Sequence, residues 1–366
     1  MRTSFTLEGA DGSARAGVVT TARGGFRTPC FMPVGTRGAI KHLSSADMEE
    51  LGAQVILSNN YHLMLRPGAD TVEALGGLHA MADWQGHTLT DSGGYQIFSL
   101  EPKIDDEGAT FKSVYDGAKH KMTPESAVAS QIAIGADIQM VLDVCTALPS
   151  PEHVIREALD RTVMWAERAR RTFLEHSLAP DVQSQYGIVQ GGLDLAMRAE
   201  SAERTVEIGF DGYAVGGLSV GEHRSEWHEA LATATGRLPT DQPRYFMGLG
   251  DPAGIVDAVA RGIDMFDCVL PTRLARHGTL LTDEGRINLT RAEFARSDEP
   301  IQPTGPAARW SKGYLRHLLQ VKEPTAARIL TLHNLWWLLR FVEDMREAII
   351  DQRFEAFAAS TYERWN

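Results

Sequence analysis

Short apolar or mixed runs recur along the chain, each closing on Gly, Asp, Asn, Gln or Pro. They fall at 31–36, 54–60, 87–93, 138–145, 186–192, 213–218, 245–250 and 265–271. Most are followed by apolar positions at helical spacing, as at 124–134, 151–174, 195–208, 222–235 and 252–261. The helix near Pro151 has a proline and Glu152 in its first turn, good chemistry for an N-terminus. Alternating strands and helices imply a parallel sheet. Eight such units predict an α/β fold of the (β/α)8 TIM-barrel type. An open doubly wound sheet fits less well, because polar residues end nearly every strand instead of clustering at one switch point. A barrel would bring Asp91, Asp143, Gln190, Gly217, Met247 and Asp267 to one rim despite their spread in sequence.

Two segments break the repeat. Residues 101–122 are polar and punctuated by glycine, with alternation at 109–115, and predict a β-hairpin inserted after the third strand. Beyond Pro271 the pattern gives strands over 278–289, a loop over 300–306 and several helices over 311–357. The expected division is therefore a barrel over 1–280, including N-terminal strands and the hairpin, and a mainly helical C-terminal subdomain over 281–366 packed on it. Trp336, Trp337 and Phe341 read as core or interface, and His333 as a hydrogen-bonded core histidine.

Composition narrows the class. Hydrophobic content of 43% and charged content of 23% are ordinary for a soluble globular chain of 366 residues. No apolar run is long enough to span a membrane, and residues 1–6 do not begin a signal peptide. Three well-separated cysteines (Cys30, Cys145, Cys268) fit a reducing cytoplasm without a disulfide framework. A net charge of −12 argues against nucleic acid as a partner. Residues 270–316 soften that, because eight Lys/Arg oppose five acids there, a local balance of +3. Such a face can dock a phosphate backbone or be merely a solvated surface.

The candidate chemistry lies in two dense strings. In Thr90-Asp91-Ser92-Gly93-Gly94-Tyr95-Gln96 an acid and a hydroxyl precede a glycine pair that lets a ligand approach backbone N–H groups. Asp267 ends an apolar run and precedes Arg273 and Arg276, which would put phosphate contacts beside an acid. A carboxylate buried at a strand end costs stability unless it finds partners or does chemistry. Two of them suggest a nucleophile and a proton-transfer partner. The bland alternatives are a turn at Asp91 and a structural aspartate at Asp267. The remaining strand ends suit guanine. Asp143 can accept its adjacent imino and amino donors, the Gln190 amide and the Gly217 N–H can reach its carbonyl, and Tyr95 and Met247 can wall its faces.

Residues 89–100, 102–108, 187–191, 215–222, 245–250, 261–273 and 331–335 together resemble the bacterial tRNA-guanine transglycosylases of the queuosine pathway. The resemblance covers almost the whole chain. It implies a TIM barrel with insertions, Asp267 as nucleophile, Asp91 as general acid/base, and a base pocket of Asp143, Gln190, Gly217, Leu218, Ser92, Tyr95, Met247 and Cys145. Arg273 and Arg276 would bind RNA. Cys145 and Val220 resemble the bacterial pocket that accepts 7-aminomethyl-7-deazaguanine. The implied partners are tRNA, guanine or a 7-deazaguanine base and a second copy in a homodimer, with no membrane.

Three departures stand out. The family's Cys-x-Cys-x-x-Cys run, which binds zinc together with the His333 equivalent, is replaced at 303–310 by a stretch without cysteine. His333 is the only retained ligand, so four-ligand structural zinc cannot be assembled, and no cofactor is expected. Val144 follows Asp143 where the family usually carries an acid, and Leu274-Ala275 replaces Ser-Gly between the arginines. The leading expectation is base exchange on tRNA. The alternatives are the same chemistry on DNA or another tRNA site, a non-catalytic RNA-binding subunit, and a metabolic barrel enzyme with a phosphate site.

Overall fold

The structure, a computed structural model, describes residues 3–218 and 224–365. Strands β1 (Ser4–Asp11), β2 (Ala14–Thr21) and β3 (Gly24–Thr28) form an antiparallel sheet ahead of the main fold. The chain then enters a parallel sheet with β4 (Cys30–Pro33), β5 (Val55–Asn59) and β6 (His87–Asp91). It leaves for an antiparallel insertion, β7 (Lys103–Asp105), β8 (Gly108–Lys112) and β9 (Lys119–Met122). The main sheet resumes with β10 (Ile138–Met140), β11 (Ser184–Val189), β12 (Gly212–Val215), β13 (Arg244–Phe246) and β14 (Met265–Cys268). Its order is β4-β14-β13-β12-β11-β10-β6-β5. A parallel bridge between Val34 and Leu57, with the Gly35 N–H donating to Leu57 O at 2.7 Å, joins the two ends into a barrel.

Every residue of β5, β6 and β11 is buried. Burial on both faces is what a parallel sheet wrapped by helices requires. Phe31, Leu57, Leu89, Met140, Ile188, Val215, Phe246 and Phe266 meet in one core. Each large apolar side chain so buried contributes roughly 1.5–3 kcal/mol. The core therefore fixes where each strand ends, and so where the polar residues at those ends emerge.

Several boundaries differ from the sequence reading. The 265–271 run is strand only to Cys268. A helix, Leu270–Arg276, takes over with Pro271 in its first turn, where proline's fixed φ favours helix. Arg273 and Arg276 thus sit on one face of a short helix just past Asp267. The 138–145 run leaves the ladder after Met140. The insertion carries three strands, because Asp105 Oδ1 accepts the Glu107 and Gly108 N–H groups, each at 3.0 Å, and folds β7 back onto β8. The helix expected over 222–235 runs Trp227–Thr235. Val220 and Glu222 lie outside the described residues.

The C-terminal part adds β15 (Thr279–Thr282), β16 (Gly285–Asn288) and helices Lys312–Gln320, Pro324–Ile350 and Phe354–Trp365. Phe341, Val342, Met345 and Ile349 of the long helix join the barrel core. Arg346 donates to Gly17 O at 3.0 Å and Thr28 O at 2.6 Å, tying that helix to β2 and β3. A second cluster holds Ala275, Leu280, Leu289, Ala307, Leu315 and Leu330, with Trp310 against it. Tyr314 is 45% exposed, although its neighbour Leu315 is buried, because successive helical residues point about 100° apart.

Candidate active site

One cavity of about 440 Å³ opens where the barrel strands end, lined by Asp91, Asp143 and Asp267 together with Ser92, Tyr95, Cys145, Gly217, Leu218, Met247 and Arg273. Three carboxylates from distant parts of the chain therefore share one space. Parallel strands of one barrel all end on the same side, and this convergence follows from that.

Asp91 ends β6, paired in register with Asn59 at the end of β5. The Asn59 side-chain amide donates to Oδ2, and the Asn60 N–H donates to Oδ1 at 3.1 Å. Burial nevertheless dominates and pushes the Asp91 carboxyl up to about 7, with the charge of Asp267 adding to it and the Asn donors opposing. Near neutrality this group exchanges a proton readily.

Asp267 is held differently. Tyr245 donates its hydroxyl to Oδ1 at 2.5 Å, and the Gly248 N–H donates to the same oxygen at 2.7 Å. Burial raises its pKa, while these two donors favour the carboxylate. Both of these donors sit on Oδ1, and the residue lines the cavity.

Asp143 follows β10 and accepts the Gln190 side-chain amide on Oδ2 at 2.7 Å. Burial lifts its pKa to about 6, against the Gln190 bond. Gly94 makes room for it, since a Cβ there would come within 2.5 Å of Asp143 Oδ1. Gly217 has φ +65°, and a Cβ there would collide with the Gln190 carbonyl oxygen. Gly94 and Gly217 are thus required by close approach to the Asp143–Gln190 pair.

The other expected residues sort by position. Ser92 is buried, and its Oγ accepts the Gly94 N–H at 3.2 Å. Leu218 and Cys145 are buried in the wall. Tyr95 is 60% exposed at the rim, an open side wall more than a closed one. Arg273 lines the cavity, and Arg276 lies one turn further along the same helix. Among the described residues neither arginine has an ion-pair partner. Gln190 does not itself line the cavity and reaches it through Asp143. Asn59, Tyr245 and Gly248 were not singled out in the sequence. The Asn59-Asn60 pair at a strand end was a signal for the first, whereas nothing in the string indicated that Tyr245 points at Asp267.

His333 lies elsewhere. It is fully buried, Nε2 meets Leu281 O at 2.9 Å, and Nδ1 has no partner. Burial lowers its pKa to about 4. Among the described residues no three His, Cys, Asp or Glu side chains group as metal ligands. Cys30 is buried in β4, and Cys145 and Cys268 line the cavity, so none stands beside His333. These residues do not fit a structural zinc ion. No helix among the described residues is long and apolar enough to cross a membrane.

The sequence model of the queuine tRNA-ribosyltransferase family matches residues 11–366. A queuine tRNA-ribosyltransferase of Solidesulfovibrio magneticus is 48% identical over 361 residues, covering 97% of this chain and 96% of that protein. Those of Herpetosiphon aurantiacus and Caulobacter vibrioides are each 46% identical, over 97% and 96% of this chain and 90% and 96% of theirs. With a barrel, a three-carboxylate cavity and these relatives along nearly its full length, the chain belongs to the queuine tRNA-ribosyltransferase family, the tRNA-guanine transglycosylases.

Proposed function

We propose that this enzyme replaces guanine in tRNA, at the wobble position of the anticodon, with a 7-deazaguanine such as 7-aminomethyl-7-deazaguanine. The observation that carries the reading is the sharing of one cavity by Asp91, Asp143 and Asp267, each in a different hydrogen-bonding environment. The wobble position and the aminomethyl base rest on the family resemblance, in which Cys145 belongs to the bacterial type of pocket.

In the first half-reaction Asp267 Oδ2 attacks the ribose anomeric carbon. A carbon–oxygen bond forms as the glycosidic carbon–nitrogen bond breaks, and its electron pair leaves with guanine. Tyr245 and the Gly248 N–H fix Oδ1, which directs Oδ2 at the sugar. Asp91 gives a proton to the departing base. In the second half the incoming base yields its ring proton to Asp91, its nitrogen takes the anomeric carbon, and the electron pair of the ester bond returns to Asp267. The proton borrowed in one half is restored in the other. Asp143 accepts the two adjacent guanine donors, and the Gln190 amide, donating to its Oδ2, holds it in place. Labelled-guanine exchange into purified tRNA, compared with DNA and with Asp267→Ala, tests the reading. Incorporation into DNA alone, or equal incorporation by Asp267→Ala, would overturn it.

The raised pKa of Asp91 has two consequences. Adduct formation in a single turnover without incoming base should fall as pH rises through about 7, because the proton donor is lost. The folded-state pKa lies above the usual 3.8, so the folded protein holds a proton that the unfolded chain has lost. Stability therefore declines as pH rises from about 4 to 7 and the cost remains in full above that. The melting temperature of Asp91→Asn relative to wild type should therefore rise from pH 5 to pH 8, while the variant loses exchange. A variant that melts lower at pH 8 than at pH 5, relative to wild type, contradicts this.

The C-terminal subdomain is read as organised without zinc. The Gly305 backbone lies so close to the Trp336 indole that a Cβ would come within 2.7 Å of it. The Arg340 guanidinium sits 4.7 Å from the Trp336 ring centre, and Asp283 accepts from both Arg340 and Trp337. Gln302 donates to the other Asp283 oxygen at 2.7 Å, and a bridge between Pro300 and Ser311 closes the loop. Purified protein should hold less than stoichiometric zinc, and a chelator should leave the melting temperature unchanged. One zinc per chain whose removal unfolds the subdomain would refute this.

A further inference from the structure

The inserted sheet has two unlike faces. Ile104, Ala109, Phe111 and Met122 alternate onto its inner face and pack with Tyr61, Leu142 and Trp165. The register Lys103↔Thr110↔Lys121 and Lys112↔Lys119 puts four lysines on the outer face. One carboxylate, Asp105, shares that face and pairs with Lys121 at 3.4 Å. Lys112 and Lys119 stand directly opposite each other, both exposed, with no ion-pair partner among the described residues. Like charges at cross-strand positions are destabilising, and the rest of this chain is strongly acidic. Nothing in the packing of the sheet requires the pair.

The tip of the same sheet reaches the active-site rim. Tyr115 bonds His62, a cavity-lining residue, at 2.8 Å between Oη and Nδ1. The guanidinium groups of Arg37 and Arg66 lie 5.3 and 4.7 Å from the Tyr115 ring centre. Both arginines are exposed and form no salt bridge among the described residues. Asp116 accepts the Ala118 N–H at 3.0 Å, and the charge of Arg66 helps to hold its carboxyl below the usual range. Arg37 and Arg66 thus stand by the cavity mouth at the tip of the insertion whose outer face carries the four lysines.

We infer that this face binds the phosphate backbone of the RNA substrate beyond the nucleotide being exchanged, on a side of the cavity formed by elements other than the helix of Arg273 and Arg276. The inference rests on the reading of tRNA as the substrate. A repeating polyanion is the occupant that suits several unpaired lysines spread along a flat sheet face, because each contact releases counterions and adds without demanding a fixed geometry.

The experiment measures binding of full-length tRNA by wild type, Lys112→Ala/Lys119→Ala and Arg37→Ala/Arg66→Ala across a salt series, alongside exchange at saturating tRNA. Each double variant should bind several-fold more weakly at low salt, with a salt-dependence slope smaller by about 2. Exchange at saturation and the affinity for free guanine should stay at wild-type values, and the lysine variant should melt no lower than wild type. Unchanged slopes in both variants, with wild type exchanging guanine normally, would overturn the inference alone. A wild type without exchange into tRNA would instead overturn the reading beneath it. A weakened slope that appears equally for heparin and for tRNA would mark the face as a general cation patch and also count against the inference.

Discussion

Asp267→Asn should lose guanine exchange by on the order of 10³-fold or more, while still binding free base. The substitution keeps the shape, and an amide oxygen can still accept from Tyr245 and Gly248, which bond Oδ1 at 2.5 and 2.7 Å. What disappears is the negative oxygen that attacks the anomeric carbon, and an amide is a poor nucleophile for that step. The base site depends on Asp143 and Gln190, whose hydrogen bond does not involve Asp267. A fall in kcat with an unaltered affinity for guanine is therefore the signature. Exchange within tenfold of wild type would remove Asp267 from the role of nucleophile.

Asp143→Ala should lose base binding and exchange together. Guanine would be left with two donors unpaired in a desolvated pocket, at a cost of about 1–3 kcal/mol or more. That corresponds to roughly a 5- to 150-fold loss of affinity. Gln190 also loses its partner and is freed to swing, so the truncation disorders the neighbouring donor as well. Asp143→Asn is the sharper variant. It keeps the volume and the Gln190 neighbour but replaces one acceptor by a donor facing a donor, and it should be no better than alanine. Titration of 7-aminomethyl-7-deazaguanine against the three proteins checks this. Unchanged affinity in Asp143→Ala would sink the assignment.

The barrel was legible in the sequence because apolar runs buried on both faces alternate with helical spacing, and eight of them leave few other topologies. Asp91, Asp143 and Asp267 were legible because each interrupts an apolar run near a strand end, where a carboxylate has no packing reason to be. The limits were local. Whether Val269-Leu270-Pro271 continues a strand or starts a helix depends on where β14 loses its neighbours β4 and β13, a tertiary matter that an apolar string does not encode. The third strand of the insertion depended on an aspartate-centred turn of four residues. The hydrogen-bond partners of these carboxylates were harder still. Tyr245 and Asp267 face each other only because β13 and β14 are neighbours in the sheet, with Tyr245 paired to Met265 and Phe246 to Phe266. The lysine face of the insertion needed the strand register, since Lys103, Lys112, Lys119 and Lys121 look like scattered surface charge until β7, β8 and β9 are laid side by side.

The most direct test of covalent base exchange is to trap the enzyme on tRNA without incoming base, denature it, digest both polymers and sequence the modified peptide by mass spectrometry. A ribose-bearing fragment should be attached to the peptide containing Asp267, formed by wild type and absent from Asp267→Asn. A ribose attached to the peptide containing Asp91, or full exchange activity in a wild-type enzyme that never forms an adduct, would contradict it.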